Sequence, residues 1–218
     1  MKKIKLKNSN KEFTVGKILC VGRNYAKHAE ELGNEVPEFP IVFMKPASTL
    51  VYHGDNIIHP DYSNEMHHEV ELVLLIGKEV KSATLEEAEK SIIGNAVGLD
   101  MTLRDLQNEF RKDGNPWTLA KSFDTCAAIS DFITKDNYRL TGNEKIELYK
   151  NGKIQQKSNL RKMIFSPAEI VKYISERITL EPGDLIFTGT PEGVSKVERG
   201  DELISKIENI AEIKNRII

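Results

Sequence analysis

The sequence predicts a mixed α+β fold that contains more strand than helix. Short apolar runs recur between glycine, proline and asparagine residues, as expected for strands joined by tight turns. Asn151-Gly152 separates two such runs, residues 144–150 and 153–157, and this dipeptide is the strongest hairpin signal in the chain, typical of a type I′ turn. Helical patterns are few and do not alternate regularly with strands, which argues against a doubly wound parallel sheet.

The length allows one large domain with a small appendage, since the chain has 218 residues of which 39% are hydrophobic. We assign residues 1–15 to a short N-terminal β-hairpin, because Ile4 and Leu6 alternate with lysines and Asn8-Ser9-Asn10 favours a turn. Residues 16–218 form the predicted main domain.

Charge and composition exclude several classes of protein. The net charge is −2 and no basic stripe is present, so we expect no nucleic-acid partner. No apolar run reaches membrane-spanning length and no signal-peptide core is found, so we expect no membrane association. Cys20 and Cys126 do not suggest a disulfide framework, and no metal-thiolate spacing occurs. The expected location is therefore the cytoplasm.

Cap residues and apolar spacing predict four short helices. Thr84 with Glu87, and Ser166 with Glu169, have the capping-box spacing. Asp100 or Thr102 is expected to cap the third helix. The predicted helices cover residues 26–32, ended by Gly33; 84–93, ended by Gly94; 103–112; and a segment from 167 whose apolar stripe is Ile170, Val171, Ile174 and Ile178.

Strands are predicted where a short apolar run follows a turn signal. The final two runs are expected to form a second hairpin. Apart from the hairpin around Asn151, the predicted strands cover residues 18–21, 41–44, 57–58, 72–76, 96–99, 125–129, 185–188, 201–207 and 211–217.

Two glutamates enter the predicted strand that ends at Gly77. Glu69 and Glu71 are two residues apart, so their side chains point to one face of the strand, about 6.6 Å apart along it. The apolar run that follows indicates burial on both faces, where unpaired carboxylates are unfavourable. Either the glutamates lie on a solvent-exposed face of the strand, or they bind a cation. His67 points with the glutamates, whereas His68 points the opposite way.

Asp100 stands at the end of another apolar strand and completes a set of three carboxylates with Glu69 and Glu71. Three oxygen ligands of this kind suit Mg²⁺ or Mn²⁺. Such an ion can hold a 2-oxo acid through its carboxylate and keto oxygens and stabilise an enolate. The glycines of residues 189–193 are too few for a nucleotide cradle, but they would let backbone N–H groups approach a small carboxylate.

Other charged residues could complete this site. His28 and Glu31 lie three residues apart on one helix face, where they form either a surface ion pair or a general base that activates water. Lys121 and Arg104 could supply positive charge. Lys45 closes an apolar strand and either aims into a cleft or caps the sheet in solvent.

Several segments, in this order along the chain, resemble the fumarylacetoacetate hydrolase (FAH) family over about residues 16–218. The similar branch is that of short acylpyruvases and oxaloacetate decarboxylases (the FAH-domain-containing protein 1 type), because of the His28/Glu31 pair and the run Arg104-Asp105-Leu106-Gln107. The segments are Cys20-Val21-Gly22-Arg23-Asn24-Tyr25, Phe43-Met44-Lys45-Pro46, His68-Glu69-Val70-Glu71, Leu99-Asp100-Met101-Thr102, Pro116-Trp117-Thr118-Leu119-Ala120-Lys121-Ser122-Phe123-Asp124 and Gly189-Thr190-Pro191-Glu192-Gly193-Val194.

The resemblance implies a β-sandwich roll with short peripheral helices, usually assembled as a homodimer. It implies Mg²⁺ or Mn²⁺ on Glu69, Glu71 and Asp100, and catalytic roles for His28, Glu31 and Lys121. It also implies that the His28 segment is a lid that orders when ligand binds. The predicted substrate-binding residues are Arg23, Tyr25, Lys45, Arg104, Gln107, Gly189 and Thr190.

The predicted function is metal-dependent cleavage of a small 2-oxo or 2,4-dioxo acid through a metal-bound pyruvate enolate. Acylpyruvate hydrolysis would reach this enolate by attack of water, and oxaloacetate decarboxylation would reach it by loss of CO₂. Two alternatives stay open: an isomerase or decarboxylase of 2-hydroxymuconate-type compounds, and a non-catalytic protein that binds small ligands on the same fold.

Overall fold

The computed structural model describes residues 1–7, 9 and 11–218 and has a strand-rich α+β fold, as predicted. In chain order the strands are β1 (Lys3–Lys5), β2 (Glu12–Thr14), β3 (Lys17–Gly22), β4 (Ile41–Pro46), β5 (Leu50–Tyr52), β6 (Asn56–Ile57), β7 (Met66–His67), β8 (Val70–Ile76), β9 (Ile92–Asp100), β10 (Thr102–Leu103), β11 (Ala127–Ile129), β12 (Ile133–Thr134), β13 (Lys145–Lys150), β14 (Lys153–Asn159), β15 (Leu185–Phe187), β16 (Glu202–Ile207) and β17 (Ala211–Ile217). The α-helices are α1 (Ala26–Glu31), α2 (Leu85–Ser91), α3 (Arg104–Lys112), α4 (Thr118–Lys121) and α5 (Pro167–Ser175).

Two sheets form the body of the molecule. The larger has the strand order β4-β3-β15-β8-β9-β11-β5, with β12 paired to β9, and it mixes parallel with antiparallel pairs. The smaller has the order β14-β13-β16-β17-β6. The strand pairs β1-β2 and β7-β10 form two further small sheets.

The strand β8 lies at the centre of the larger sheet and is buried on both faces, as its unbroken apolar run predicted. One face, with Leu72 and Leu74, packs in a core that also contains strands of the smaller sheet and α5. The other face, with Val73 and Leu75, packs in a second core inside the curl of the larger sheet. Burial on both sides leaves the ends of β8 as the places where polar groups can meet a ligand.

The N-terminal hairpin is present: β1 pairs with β2, and the predicted turn residues Asn8 and Asn10 lie outside the described residues. Ile4 and Leu6 are buried in the second core, whereas Lys3 and Lys5 are exposed. The division into an appendage (residues 1–15) and a main domain (16–218) stays a prediction.

Local signals predicted two hairpins and two capping boxes correctly. Asn151 and Gly152 have φ angles of 51° and 75°, so this turn has the two left-handed residues of type I′. Both capping boxes form, with Thr84 accepting from the N–H of Glu87 and Ser166 accepting from the N–H of Glu169. The predicted final hairpin is formed by β16 and β17.

Three predictions about helix ends are wrong. Gly94 does not end α2 but pairs within β9, where an added Cβ would lie 3.1 Å from the carbonyl oxygen of Ile133. Neither Asp100 nor Thr102 caps α3, because both side chains contact lysine ammonium groups instead. Ile178 lies beyond the end of α5 and is 36% exposed, outside the buried stripe.

The short helix α4 was not predicted, although Lys121 at its end was singled out. Four residues show too little periodicity for a helix to be recognised. Among the described residues, no helix combines the length and the apolar character needed to cross a bilayer.

Candidate active site

Pairing between β8 and β9 brings the three predicted carboxylates together. Val70 lies opposite Leu99, and the N–H of Asp100 donates to the carbonyl oxygen of Glu69 at 2.9 Å. One carboxylate oxygen from each of Glu69, Glu71 and Asp100 lies within 4.8 Å of the other two. The three residues are 4%, 2% and 1% exposed. The interpretation that the glutamates lie on a solvent-exposed face is therefore wrong, and their burial is confirmed.

Lys121 is the cation at the centre of this cluster. Its Nζ donates to Glu69 Oε2 at 2.8 Å, to Asp100 Oδ2 at 2.9 Å and to Thr102 Oγ1 at 2.6 Å. Burial lowers the pKa of Lys121, but Asp100 and Glu69 outweigh it, and the net pKa is raised. Lys121 is therefore a charged ammonium group that holds two of the carboxylates in position.

Two further cations hold the cluster from the outside. Lys45 is completely buried, and its Nζ lies 2.8 Å from Asp100 Oδ1. Arg104 pairs with Glu69 Oε1 and donates to Gln107 Oε1. The solvent interpretation of Lys45 is therefore wrong: its side chain is buried and contacts Asp100 from behind the cavity wall.

Glu71 is the carboxylate without a cationic partner among the described residues. Its Oε2 accepts the N–H of Gly189 at 2.7 Å. Burial, followed by the charges of Asp100 and Glu69, raises the pKa of Glu71 well above its usual value. In contrast, Lys121 and Arg104 overcome the effect of burial and lower the pKa of Glu69.

These features fit a divalent cation. Converging carboxylate oxygens are the ligands that Mg²⁺ and Mn²⁺ prefer, and a cation beside Glu71 would relieve its repulsion by the two neighbouring carboxylates. Histidine is not needed as a ligand. His67 lines the same cavity as the glutamates, as predicted from strand alternation, and His68 points away.

The helix α1 places a histidine–glutamate pair over the cluster. His28 is 4% exposed, and its Nδ1 lies 3.5 Å from Glu31 Oε2. Both carboxylate oxygens of Glu31 also accept the N–H of Gly193 at 3.1 Å, which joins α1 to the glycine loop. Burial is the main cause that lowers the pKa of His28, so the imidazole is neutral at pH 7 and can accept a proton.

The loop after β15 depends on glycine at its start. Gly189 has a φ of 98°, and an added Cβ would lie 2.7 Å from the Cβ of Asn24 and 3.0 Å from the carbonyl oxygen of Val21. Any larger residue would therefore push the loop off the sheet. Thr190 follows, and its Oγ1 donates to the carbonyl oxygen of Val70 at 2.8 Å.

A buried polar network centred on Gln156 links this loop to the start of β8. Gln156 Nε2 donates to Thr190 Oγ1 and to the carbonyl oxygen of Pro191, both at 2.8 Å. Gln156 Oε1 accepts the N–H of Val70 and contacts His68 Nδ1 at 3.0 Å. Because Oε1 is an acceptor, His68 carries its proton on Nδ1.

The network makes stability depend on pH through His68. Burial lowers the pKa of His68 to about 4, below the unfolded value of about 6.5. The unfolded chain therefore binds the proton more tightly, and His68 reduces the free energy of unfolding as the pH falls from 6.5 to 4. We expect a loss of about 3 kcal/mol over this window.

Chemical unfolding of the wild type and of His68→Gln between pH 4 and pH 8 tests this prediction. The variant should lose most of this pH dependence, whereas His53→Gln, at an exposed histidine, should keep it. An unchanged pH profile in His68→Gln would contradict the prediction.

The carboxylates open into a cavity of about 310 Å³. Of the predicted site residues, the lining contains Arg23, His28, Glu31, Glu69, Glu71, Asp100, Arg104, Gln107, Lys121 and Thr190. Tyr25, Lys45 and Gly189 lie behind the cavity wall, so any effect they have on a ligand passes through the groups they contact.

The sequence interpretation missed several residues of the cavity wall. Arg111 lies on α3 seven residues after Arg104 and four after Gln107, so helix periodicity could have placed it on the same face. Thr102, behind the cavity wall, was also missed: it binds Lys121 although it was expected to cap a helix. Asn34 and Trp117 also line the cavity, and neither was among the predicted site residues.

Comparison with known proteins bears on the family of this chain. The family profile "Fumarylacetoacetate (FAA) hydrolase C-terminal" matches residues 17–218. Oxaloacetate tautomerase FAHD1 of Bos taurus, a mitochondrial protein, is 40% identical over 200 residues, covering 92% of this chain and 90% of the relative. Mitochondrial oxaloacetate decarboxylase of Dictyostelium discoideum is 45% identical over 193 residues, covering 88% of each chain.

Solved structures show the same fold. The crystal structure of fumarylpyruvate hydrolase from Pseudomonas aeruginosa with Mn²⁺ and pyruvate has a TM-score of 0.95 and 40% identity, covering 99% of this chain and 95% of the other. A 5-carboxymethyl-2-hydroxymuconate delta-isomerase from Mycobacterium smegmatis has a TM-score of 0.83 and 32% identity, covering 94% and 77%. The chain belongs to the fumarylacetoacetate hydrolase family.

Proposed function

We propose that this protein is a Mg²⁺- or Mn²⁺-dependent enzyme that cleaves a C–C bond in a small 2-oxo or 2,4-dioxo acid, by hydrolysis or decarboxylation. The observation that carries the proposal is the buried set Glu69, Glu71 and Asp100, with Lys121 bound to two of its members, beside a small cavity that contains a neutral His28. Relatives named for oxaloacetate and fumarylpyruvate chemistry support the reaction class.

The cation site and its surroundings would fix one end of the substrate. When bound, the cation would supply a Lewis acid that stabilises the negative charge developing on the enolate oxygen. Lys121 is fixed by three hydrogen bonds and would add positive charge to the same part of the site. Arg104 and Gln107 lie on the cavity wall and can bind the substrate carboxylate.

The His28–Glu31 pair supplies the proton-transfer group. Nδ1 faces Glu31, which leaves Nε2 as the basic nitrogen of the neutral ring. In hydrolysis, His28 would take a proton from the attacking water. In decarboxylation, CO₂ leaves without water attack, so His28 is needed only for later proton delivery to the enolate carbon.

A second candidate is isomerisation of the same class of acid, including 2-hydroxymuconate-type compounds. Proton transfer by one neutral imidazole is sufficient for it, and the bovine and mycobacterial relatives are named for such reactions. The alternative of a non-catalytic binding protein predicts ligand binding without turnover.

Turnover of acetylpyruvate, oxaloacetate and a carboxymethyl-hydroxymuconate, each with added Mg²⁺ or Mn²⁺ and with EDTA, tests the proposal. We expect metal-dependent C–C cleavage of at least one 2-oxo acid. Stabilisation by Mg²⁺ and oxalate without turnover of any of the three would support the binding protein instead. Turnover that persists in EDTA would contradict the metal-dependent mechanism.

Assembly as a homodimer and a cytoplasmic location also stay proposals. The edge strand β4 and the adjacent helix α4 expose Met44 and Leu119, which suits contact with a second copy. Sedimentation of the wild type and of Met44→Glu tests the dimer: a dimeric wild type and a monomeric variant are expected.

A further inference from the structure

A second cavity, of about 730 Å³, lies beside β9 and away from the carboxylate cluster. It is bounded by the loop after β12, the segment after β14 and the start of α5. None of the described residues that line it also lines the active-site cavity. It is therefore a separate place at which a ligand can bind.

The wall of this second cavity contains a buried amide that is not paired. Asn95 is 0% exposed, and neither its Nδ2 nor its Oδ1 has a hydrogen-bond partner among the described residues. On the same strand, the side chains of Val97 and Leu99 pack in the core that contains Leu160. Because side chains alternate along a strand, Asn95 points to that face too, where Leu160 lines the cavity. A buried amide without partners is unfavourable, so its position on the cavity wall indicates a polar ligand.

The side chains that surround this position in the cavity wall are mainly apolar. Ile92 and Leu160 are buried, and Leu140 and Met163 are half-buried against the same core. A single buried water needs two to four polar partners, which these side chains do not supply. An organic ligand with an apolar body would instead bury that body against them while its polar edge pairs with Asn95.

The outer part of the second cavity is positively charged. Lys90 and Lys135 are engaged with glutamates, at 2.5 Å from Glu86 and 2.6 Å from Glu89. Arg139 and Arg161 are exposed, and neither forms an ion pair with any described residue. The charged residues of the lining are four bases and two acids: Lys90, Lys135, Arg139, Arg161, Glu89 and Asp136.

We propose that the second cavity binds a small aromatic acid that carries an amide group at the end opposite its carboxylate. An amide has a donor and an acceptor side by side, so it can form two hydrogen bonds with the side chain of Asn95. The apolar wall holds the ring, and Arg139 and Arg161 bind the carboxylate through charge-assisted hydrogen bonds. The site does not depend on the proposed reaction, because it shares no described lining residue with the active-site cavity.

Two rigid probes of different length test this site: 4-carbamoylbenzoate and its biphenyl homologue. Each is compared with an analogue in which isopropyl replaces the amide group and with one in which methyl replaces the carboxylate. Titrations followed by NMR contain Mg²⁺ and oxalate, which compete for the active-site cavity. At least one probe should bind the wild type about tenfold more tightly than either of its analogues.

Variants assign the two ends of the probe. Asn95→Leu keeps the branched shape and should remove the preference over the isopropyl analogue. The same variant should raise the thermal unfolding midpoint by about 2–6 °C without ligand, because an unpaired buried amide is lost. Arg139→Gln combined with Arg161→Gln changes exposed positions only, and it should remove the preference over the methyl analogue.

Lys162→Gln is the matched control, since Lys162 is exposed, adjoins Arg161 and does not line the cavity. It should change neither preference. Binding of neither probe, or equal binding of the probes and their analogues, would overturn the site. A lower unfolding midpoint in Asn95→Leu, or a crystal structure that shows only ordered water on Asn95 in the presence of either probe, would also overturn it.

Discussion

Glu71→Gln is expected to abolish stabilisation by Mg²⁺ or Mn²⁺ and to remove the activity. The variant deletes one of three carboxylate ligands while keeping an oxygen that can accept the N–H of Gly189. An ion present at a concentration 100 times its Kd stabilises the folded state by about 2.7 kcal/mol. Thermal or chemical unfolding with and without each ion should show this increment in the wild type and none in the variant.

The same substitution should have the opposite effect on the metal-free protein. Glu71 is buried beside two other carboxylates, and its pKa is raised for this reason, so its negative charge destabilises the fold at pH 7. In EDTA, Glu71→Gln should therefore be at least as stable as the wild type. The change in the free energy of unfolding caused by Glu71→Gln should therefore have opposite signs with and without metal. This result distinguishes loss of a metal ligand from general damage to the core.

Glu147→Gln is a matched control outside the site. Glu147 is also mostly buried, but it pairs with Lys206 in the smaller sheet, where its pKa is lowered. Its replacement should reduce stability modestly with or without EDTA and should leave the response to metal intact. A Glu71→Gln protein that retains the wild-type response to Mg²⁺ and Mn²⁺ would exclude Glu71 as a ligand.

His28→Ala is expected to lower acylpyruvate hydrolysis by about 10²- to 10⁴-fold, the range typical of a lost general base. Oxaloacetate decarboxylation should fall much less, because its C–C bond breaks without attack by water. Binding of oxalate with Mg²⁺ should be unchanged, since the carboxylates, Lys121 and Arg104 are held by contacts that do not involve His28.

The pH profile provides a second readout of the same group. Burial lowers the pKa of His28, so the wild type should keep its hydrolytic activity to a lower pH than an ordinary imidazole would allow, and should lose it when the ring is protonated. His53→Ala, at an exposed histidine, should have the wild-type rate and profile. Wild-type hydrolysis by His28→Ala would exclude the proposed role of the pair.

Local patterns were sufficient for many of the strands and helices and for the identity of the charged cluster. The turn at Asn151-Gly152 and the two capping boxes depend on contacts within a few residues, so the sequence displays them directly. The apolar run after Glu71 predicted a strand buried on both faces. Strand alternation likewise placed His67, and not His68, on the side of the glutamates.

Contacts between distant segments required the tertiary structure. The role of Gly94 depends on Ile133 and that of Thr102 depends on Lys121, so local rules assigned a helix end and a helix cap incorrectly. The direction of the Lys45 side chain was decided by Asp100, a residue far away in the sequence.

By itself, the sequence determined the strand-rich fold class, the three carboxylates and the histidine–glutamate pair. The tertiary structure decided whether the carboxylates are wet or buried, which cation balances each of them, and that Glu71 has none among the described residues. It also brought Arg111 and Arg23 to the wall of one cavity. The physical reason is that burial and Coulomb interactions depend on distance in space, which strand pairing sets and sequence separation does not.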